Sequence, residues 1–186
     1  MANSFLQYWA KDRCDRLPPH DDAINLTLMF GGPHQSHPGY KRFGVREGDM
    51  IHIVRVLKGD LWVIGYMLVS RVLPIEEYIN ENNHLFAGFE SSYSAEVTFG
   101  NWAKTEPVIY YLAPTCTNEA AYGRGKIGFV IPVPAEITQS ITFKNGRGIK
   151  HIVDGKIKNT VSLTGATYRL SDESAPKFAD LLERQR

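Results

Sequence analysis

The chain has 186 residues, 43% hydrophobic and 22% charged, the composition of a globular domain, which excludes a disordered tail or a fibre. Lysine and arginine number 21 against 20 acids, so the net charge of +1 exerts no global pull toward nucleic acid, membrane or acidic partners. One domain spanning residues 1–186 accounts for that length.

Residues 4–10 hold Phe5, Leu6, Tyr8 and Trp9, an aromatic-rich stretch that suits a first strand, and the charged run 11–16 closes it. Pro18 and Pro19 then hold the backbone extended and stop any helix. The start lacks the basic stretch and long apolar core of a signal peptide, so export is not expected. Residues 24–30 form a second apolar run. Residues 31–44, with four glycines and two prolines, read as a long surface loop. Within it His34 and His37 make an H-x-x-H spacing, with His20 upstream; a proline-glycine loop does not converge three or four ligands, so no metal site is assigned.

The strongest pattern follows. Gly48-Asp49 turns the chain into residues 50–56, rich in β-branched side chains, and Lys58-Gly59-Asp60 reverses it into residues 61–69. The second arm is apolar without alternation, which predicts a strand covered on both faces, and Gly65 inside it marks a bulge or bend. At nine residues it is short of the about 20 that a membrane helix needs. Residues 74–79 predict a short helix opened by Pro74 with Glu76 and Glu77 in its first turn. Further strands are predicted at 95–99, 107–112, 126–132 and 140–143. Gly123-Arg124-Gly125-Lys126 reads as a hairpin turn, because it lacks the spacing of a phosphate-binding loop. Residues 155–165 read as a turn into a polar strand. Ser171 or Ser174 caps a final helix whose Phe178, Leu181 and Leu182 share one face and should dock on the sheet. Cys14 and Cys116 sit outside any C-x-x-C spacing and read as reduced thiols of a cytoplasmic protein.

The order of loop, Gly48-Asp49, strand, turn and a second strand ending Val69-Ser70-Arg71-Val72 resembles the PUA-like superfamily, which includes EVE, ASCH and YTH domains. The resemblance covers about 35 residues together with the Tyr8-Trp9 strand. It implies an α+β, mostly β fold: a partly closed PUA-like barrel with a C-terminal helix. It also implies a module that binds DNA or RNA and reads a modified or flipped base in an aromatic pocket; no cofactor is expected, and Gly44 in the acidic position of the ASCH pattern argues for binding without turnover.

A base lifted from its stack has to be held by flat ring faces, each worth about 1–3 kcal/mol. Tyr8, Trp9, Trp62, Tyr66 and Trp102 are the candidate walls. Phosphate contacts are expected from Lys11, Arg13 and Arg16 after the first strand and from Lys41, Arg42 and Arg46 around the loop, two basic clusters in a neutral chain. Two other classes compete. Residues 39–46 are similar to the ASCH pattern G-x-K-x-x-E-x-R, with Gly44 in the acidic position, so a hydrolase or nuclease would use Lys41 with another acid such as Glu47. A filled barrel with scattered charges would instead be a protein-interaction domain.

Overall fold

A computed structural model of the chain describes residues 2–15, 23–32, 39–81 and 118–184. Within them the protein is mostly β: a mixed six-stranded sheet with a helix at its C-terminal end. The strands are β1 (Ser4–Tyr8), β2 (Ile24–Gly31), β3 (Met50–Leu57), β4 (Asp60–Pro74), β5 (Glu119–Pro132) and β8 (Thr167–Arg169). Their order across the sheet is β2-β5-β4-β3-β1-β8. A separate two-stranded ribbon joins β6 (Ile152–Val153) and β7 (Lys156–Ile157). The helices are α1 (Lys11–Cys14), α2 (Ile75–Glu81), α3 (Ala135–Ser140) and α4 (Ala175–Glu183). β2 and β8 form the two outer edges of the sheet, which is not closed into a barrel among the described residues.

The expected hairpin is β3–β4. Lys58 and Gly59 both have positive φ, 51° and 86°, the backbone of the two-residue turn whose twist matches antiparallel strands. Asp154 and Gly155 repeat the device at 51° and 74° between β6 and β7. The register shifts between Ile53 and Val54 on β3 and between Val63 and Gly65 on β4, so the predicted irregularity falls at Gly65. β4 gives Ile64, Met67 and Val69 to one core cluster and Leu61 and Val63 to the other, so both of its faces are covered there, which accounts for its apolarity.

Alternation along β1 divides the core in two. Phe5 and Trp9 enter one cluster with Ile51, Ile53, Met67, Leu26, Tyr40 and Val45, while Leu6 and Tyr8 face the other, with Val54, Ile131, Leu170, Phe178 and Leu181. The second cluster is the docking surface of α4, as its apolar face predicts. Ser174 stands at the N-cap of α4, but its Oγ accepts the Thr142 N–H at 2.9 Å and does not cap the helix. The Ser171 Oγ accepts the Ser174 N–H at 3.2 Å, so the two serines tie the helix start to the chain before it.

The run 11–16 closes the first strand as expected, and its described part opens with the single turn α1. Several expectations are corrected. Gly123-Arg124-Gly125-Lys126 is the interior of β5, not a hairpin turn. A Cβ on Gly125 would lie 1.9 Å from the Tyr66 carbonyl oxygen, and one on Gly123 2.1 Å from that of Leu68, so β4 presses on these positions and only glycine fits. Of the strand predicted at 140–143, Ser140 ends α3, which is entered from Pro134, and Thr142 and Phe143 form single bridges, to Gly148 and Leu170. Residues 158–166 form turns in place of a polar strand. The strands predicted at 95–99 and 107–112 lie outside the described residues.

Candidate nucleic-acid interface

The rings expected to wall a pocket are dispersed. Trp9 is 1% exposed and sits in the core with Phe5, Ile53 and Cys14, so the expectation of an open stacking face there is corrected: alternation on β1 turns it inward. The Cys14 thiol reaches the Trp9 carbonyl oxygen at 3.5 Å, which folds α1 back beneath that ring. Tyr8 is half-buried against the helix-side cluster, and Trp62 is half-buried against the opposite one with its Nε1 sealed and unpaired. Trp102 lies outside the described residues. Tyr66 lines a groove, a cavity of about 290 Å³ shared with Met50, Lys126, Phe129, Ile131 and Leu182. Phe129 stands 6.1 Å from Tyr66, tilted by 45°.

Among the expected cations, Lys11 is exposed and paired with Asp15, its i+4 neighbour. Arg16 and the side chain of Arg13 lie outside the described residues. Lys41, Arg42 and Arg46 are exposed on a loop held by two carboxylates. Glu119 Oε2 accepts the N–H groups of Tyr40 at 2.5 Å and Lys41 at 3.1 Å. Asp49, fully buried, accepts the Arg46 N–H at 3.0 Å and both the main-chain and side-chain nitrogens of Asn3, at 2.7 and 3.1 Å. The aspartate of the Gly-Asp pair is therefore a clamp on the loop and the chain start. Glu119 meets Lys41 through the main chain and not through its ammonium group, and Glu47 is exposed.

A 3₁₀ turn at Lys41–Phe43 carries this loop to β8, and there it meets a surface that the sequence pattern did not single out. Residues 144–169 contain six basic residues, Lys144, Arg147, Lys150, Lys156, Lys158 and Arg169, against one acid, Asp154. Lys144, Arg147, Lys150 and Arg169 are exposed around two adjoining cavities. One, of about 310 Å³, is lined by Phe143, Asn145, Arg147, Lys150, His151 and Tyr168. The other, of about 200 Å³, is lined by Phe43, Phe143, Lys144, Thr167, Tyr168 and Arg169. Phe143 and Tyr168, which border both, stack at 4.5 Å and 22°. Arg42 lies 5.6 Å from the Phe43 ring centroid and extends the cationic border. Two cations here are partly committed: Lys144 to Asp172 at 3.3 Å, and Lys156 to Asp60 at 2.6 Å.

Electrostatics mark two groups. Burial pushes the Tyr168 hydroxyl above the ordinary phenol pKa while Arg147 pulls it down, which puts that guanidinium within Coulombic reach of the ring. Tyr168 donates its hydrogen bond to the Thr164 carbonyl at 3.0 Å. His52, on the helix side of β3, is wholly buried with its ring 5.3 Å from Phe178, and desolvation lowers its pKa to about 4, so it is neutral. His20, His34 and His37 lie outside the described residues, and no described helix is long and apolar enough to cross a membrane. The local charge imbalance of residues 144–169 was the legible signal for this face.

No protein-family model matches the chain, and no curated protein or solved structure matches it significantly.

Proposed function

We propose that this chain binds nucleic acid, DNA or RNA, with the phosphate backbone laid along the edge of the sheet at β8 and one base turned toward the cavity between Phe43, Phe143 and Tyr168. On this reading the six-stranded sheet is the larger part of a PUA-like barrel and the protein is a binding module. One observation carries the reading: four exposed cations, Lys144, Arg147, Lys150 and Arg169, surround the half-buried Tyr168, whose ring is backed by the buried Phe143, in a chain whose net charge is only +1. Arg42 joins them from a separate loop. Cations that track phosphates beside rings that take base faces are the two elements of single-strand and flipped-base recognition. The Tyr66 groove offers one lysine and lies three strands from β8, so it does not share this electrostatic field.

The test is a fluorescence anisotropy titration with single- and double-stranded oligonucleotides, with and without modified bases, at two salt concentrations. The expected result is affinity that falls with salt, with a slope that becomes shallower by about 1 for each phosphate-neutralising side chain removed, as in Arg147→Ala and Lys150→Ala. Binding insensitive to salt, or variants that bind like the parent, would overturn it.

A further inference from the structure

The reading above turns a base toward the smaller of the two cavities at β8 and gives the larger one, of about 310 Å³, no ligand of its own. Asn145, Arg147, Lys150, His151, Ser162 and Tyr168 line that cavity, with no carboxylate among its described lining residues. Two of its side-chain acceptors are already engaged by the main chain. Asn145 Oδ1 accepts the Arg147 N–H at 3.0 Å, and Ser162 Oγ accepts the Lys150 N–H at 3.0 Å, which leaves an amide NH2 group and a hydroxyl proton, both donors. Arg147 and Lys150 can only donate; both are exposed, and neither side chain has a hydrogen bond or an ion pair among the described residues. The same two bonds tie down the backbone on which these cations stand, together with the Phe143 N–H on the Arg147 carbonyl at 2.7 Å and the Lys158 N–H on the His151 carbonyl at 2.8 Å. His151 holds a φ of 59°, a left-handed conformation that an L side chain adopts at a cost.

We infer that the cavity between Arg147, Lys150 and Ser162 is a strand-end site, which takes a terminal phosphate monoester of the bound nucleic acid. The inference rests on the proposed nucleic-acid reading. A monoester carries about −1.5 to −2 charge at neutral pH and presents three acceptor oxygens, whereas a phosphodiester inside the chain carries a single charge and continues on both sides. Two cations and the free donors of Asn145 and Ser162 match the monoester in charge and in hydrogen-bonding sense, and a guanidinium can hold two of its oxygens in parallel. A cavity of about 310 Å³ stands at the small end of ligand pockets, which run from about 300 to 1,000 Å³, so it has room for one nucleotide end and not for a run of chain. The two cavities share Phe143, Asn145 and Tyr168, so adjoining sites are available to the phosphate and the base of one terminal nucleotide. Lys144 and Arg169 line the smaller cavity and not this one, where they serve internal phosphates.

The experiment uses the full chain and one single-stranded oligonucleotide with a 5′-phosphate, with a 3′-phosphate or with hydroxyls at both ends, each in competition with a labelled hydroxyl-ended probe; inorganic phosphate is run as a further competitor. The expected result is that one phosphorylated form binds about 10- to 100-fold more tightly than the hydroxyl-ended form, the yield of charge-assisted hydrogen bonds to a monoester. Arg147→Gln and Lys150→Gln, both at exposed positions, should each remove most of that ratio, and circular dichroism verifies that they are folded. Lys144→Gln and Arg169→Gln should weaken every form alike and keep the ratio. A ratio that survives in both the Arg147 and the Lys150 variant overturns the inference. So does inorganic phosphate that displaces the phosphorylated strand at the concentrations at which the strand displaces itself, since the site would then be tied to no strand end. A parent that binds with the expected salt slope but ignores the end group overturns it while the nucleic-acid reading stands. A parent that binds no oligonucleotide overturns both.

Discussion

At the centre of the sheet β4 and β5 run side by side with Gly123 and Gly125 pressed against the carbonyls of Leu68 and Tyr66, whereas at the edge β8 pairs with β1 through three residues and leaves Gln7 and Thr167 unanswered. The centre is packed to the limit that backbone atoms allow. The edge is short, cationic and polar inside. Backbone contact is closest at the centre, while the sealed polar pair Gln7 and Thr167 lies at the edge.

The largest effect should come from the centre. Gly125→Ala drives a methyl group into the Tyr66 carbonyl and should cost on the order of 4 kcal/mol, measured as a shift in the urea midpoint. The next is a pH dependence set by His52. The unfolded chain takes up a proton near pH 6.5, the folded chain not until about pH 4, so this contribution is complete above 6.5 and is lost as pH falls through that window. The loss should reach about 3 kcal/mol, and His52→Leu should flatten it in unfolding curves recorded between those limits. Third, Asp49→Ala strands the Asn3 and Arg46 nitrogens and should cost about 2 kcal/mol by chemical denaturation. At the edge the sign reverses. Gln7→Met should raise stability by about 1 kcal/mol, because it removes an orphan amide, and the same change made in the centre would have no such benefit. If Gln7→Met destabilises as much as a central substitution, the contrast between the two regions is wrong.

The parts of the fold that were legible in the sequence are those specified locally. The β3–β4 hairpin announces itself through Lys58-Gly59 and β-branched arms, Gly65 through its place inside an apolar run, and α4 through the spacing of Phe178, Leu181 and Leu182. What was not legible depends on partners far along the chain. Gly123-Arg124-Gly125 looks like a turn in isolation and becomes strand only because β4 requires closely approached backbone. Trp9 beside Lys11 looks exposed by its neighbours, yet the strand's alternation and the fold of α1 bury it. The basic face escaped for a different reason: Lys144, Arg147, Lys150 and Arg169 are spread over 26 positions and converge only when Phe143 bridges to Leu170. The loop cations Lys41, Arg42 and Arg46 were read from composition, but their position next to β8 was not readable there.

The placement of β1 also governs how the molecule is assembled in time. It pairs in parallel with β3, about 46 positions on, and on its other side with β8, so that Gln7 waits for Thr167 across 160 intervening steps of synthesis. Until that late segment emerges, one flank of β1 is an open ladder of amides and carbonyls next to a hydrophobic core, a template for pairing with another chain. Such distant closure makes folding slow relative to a domain of local contacts. The three-residue strand β8 is thus a latch as well as a rim: the last strand of the sheet to be made covers the open flank of β1 and leaves in its place an edge only three residues long.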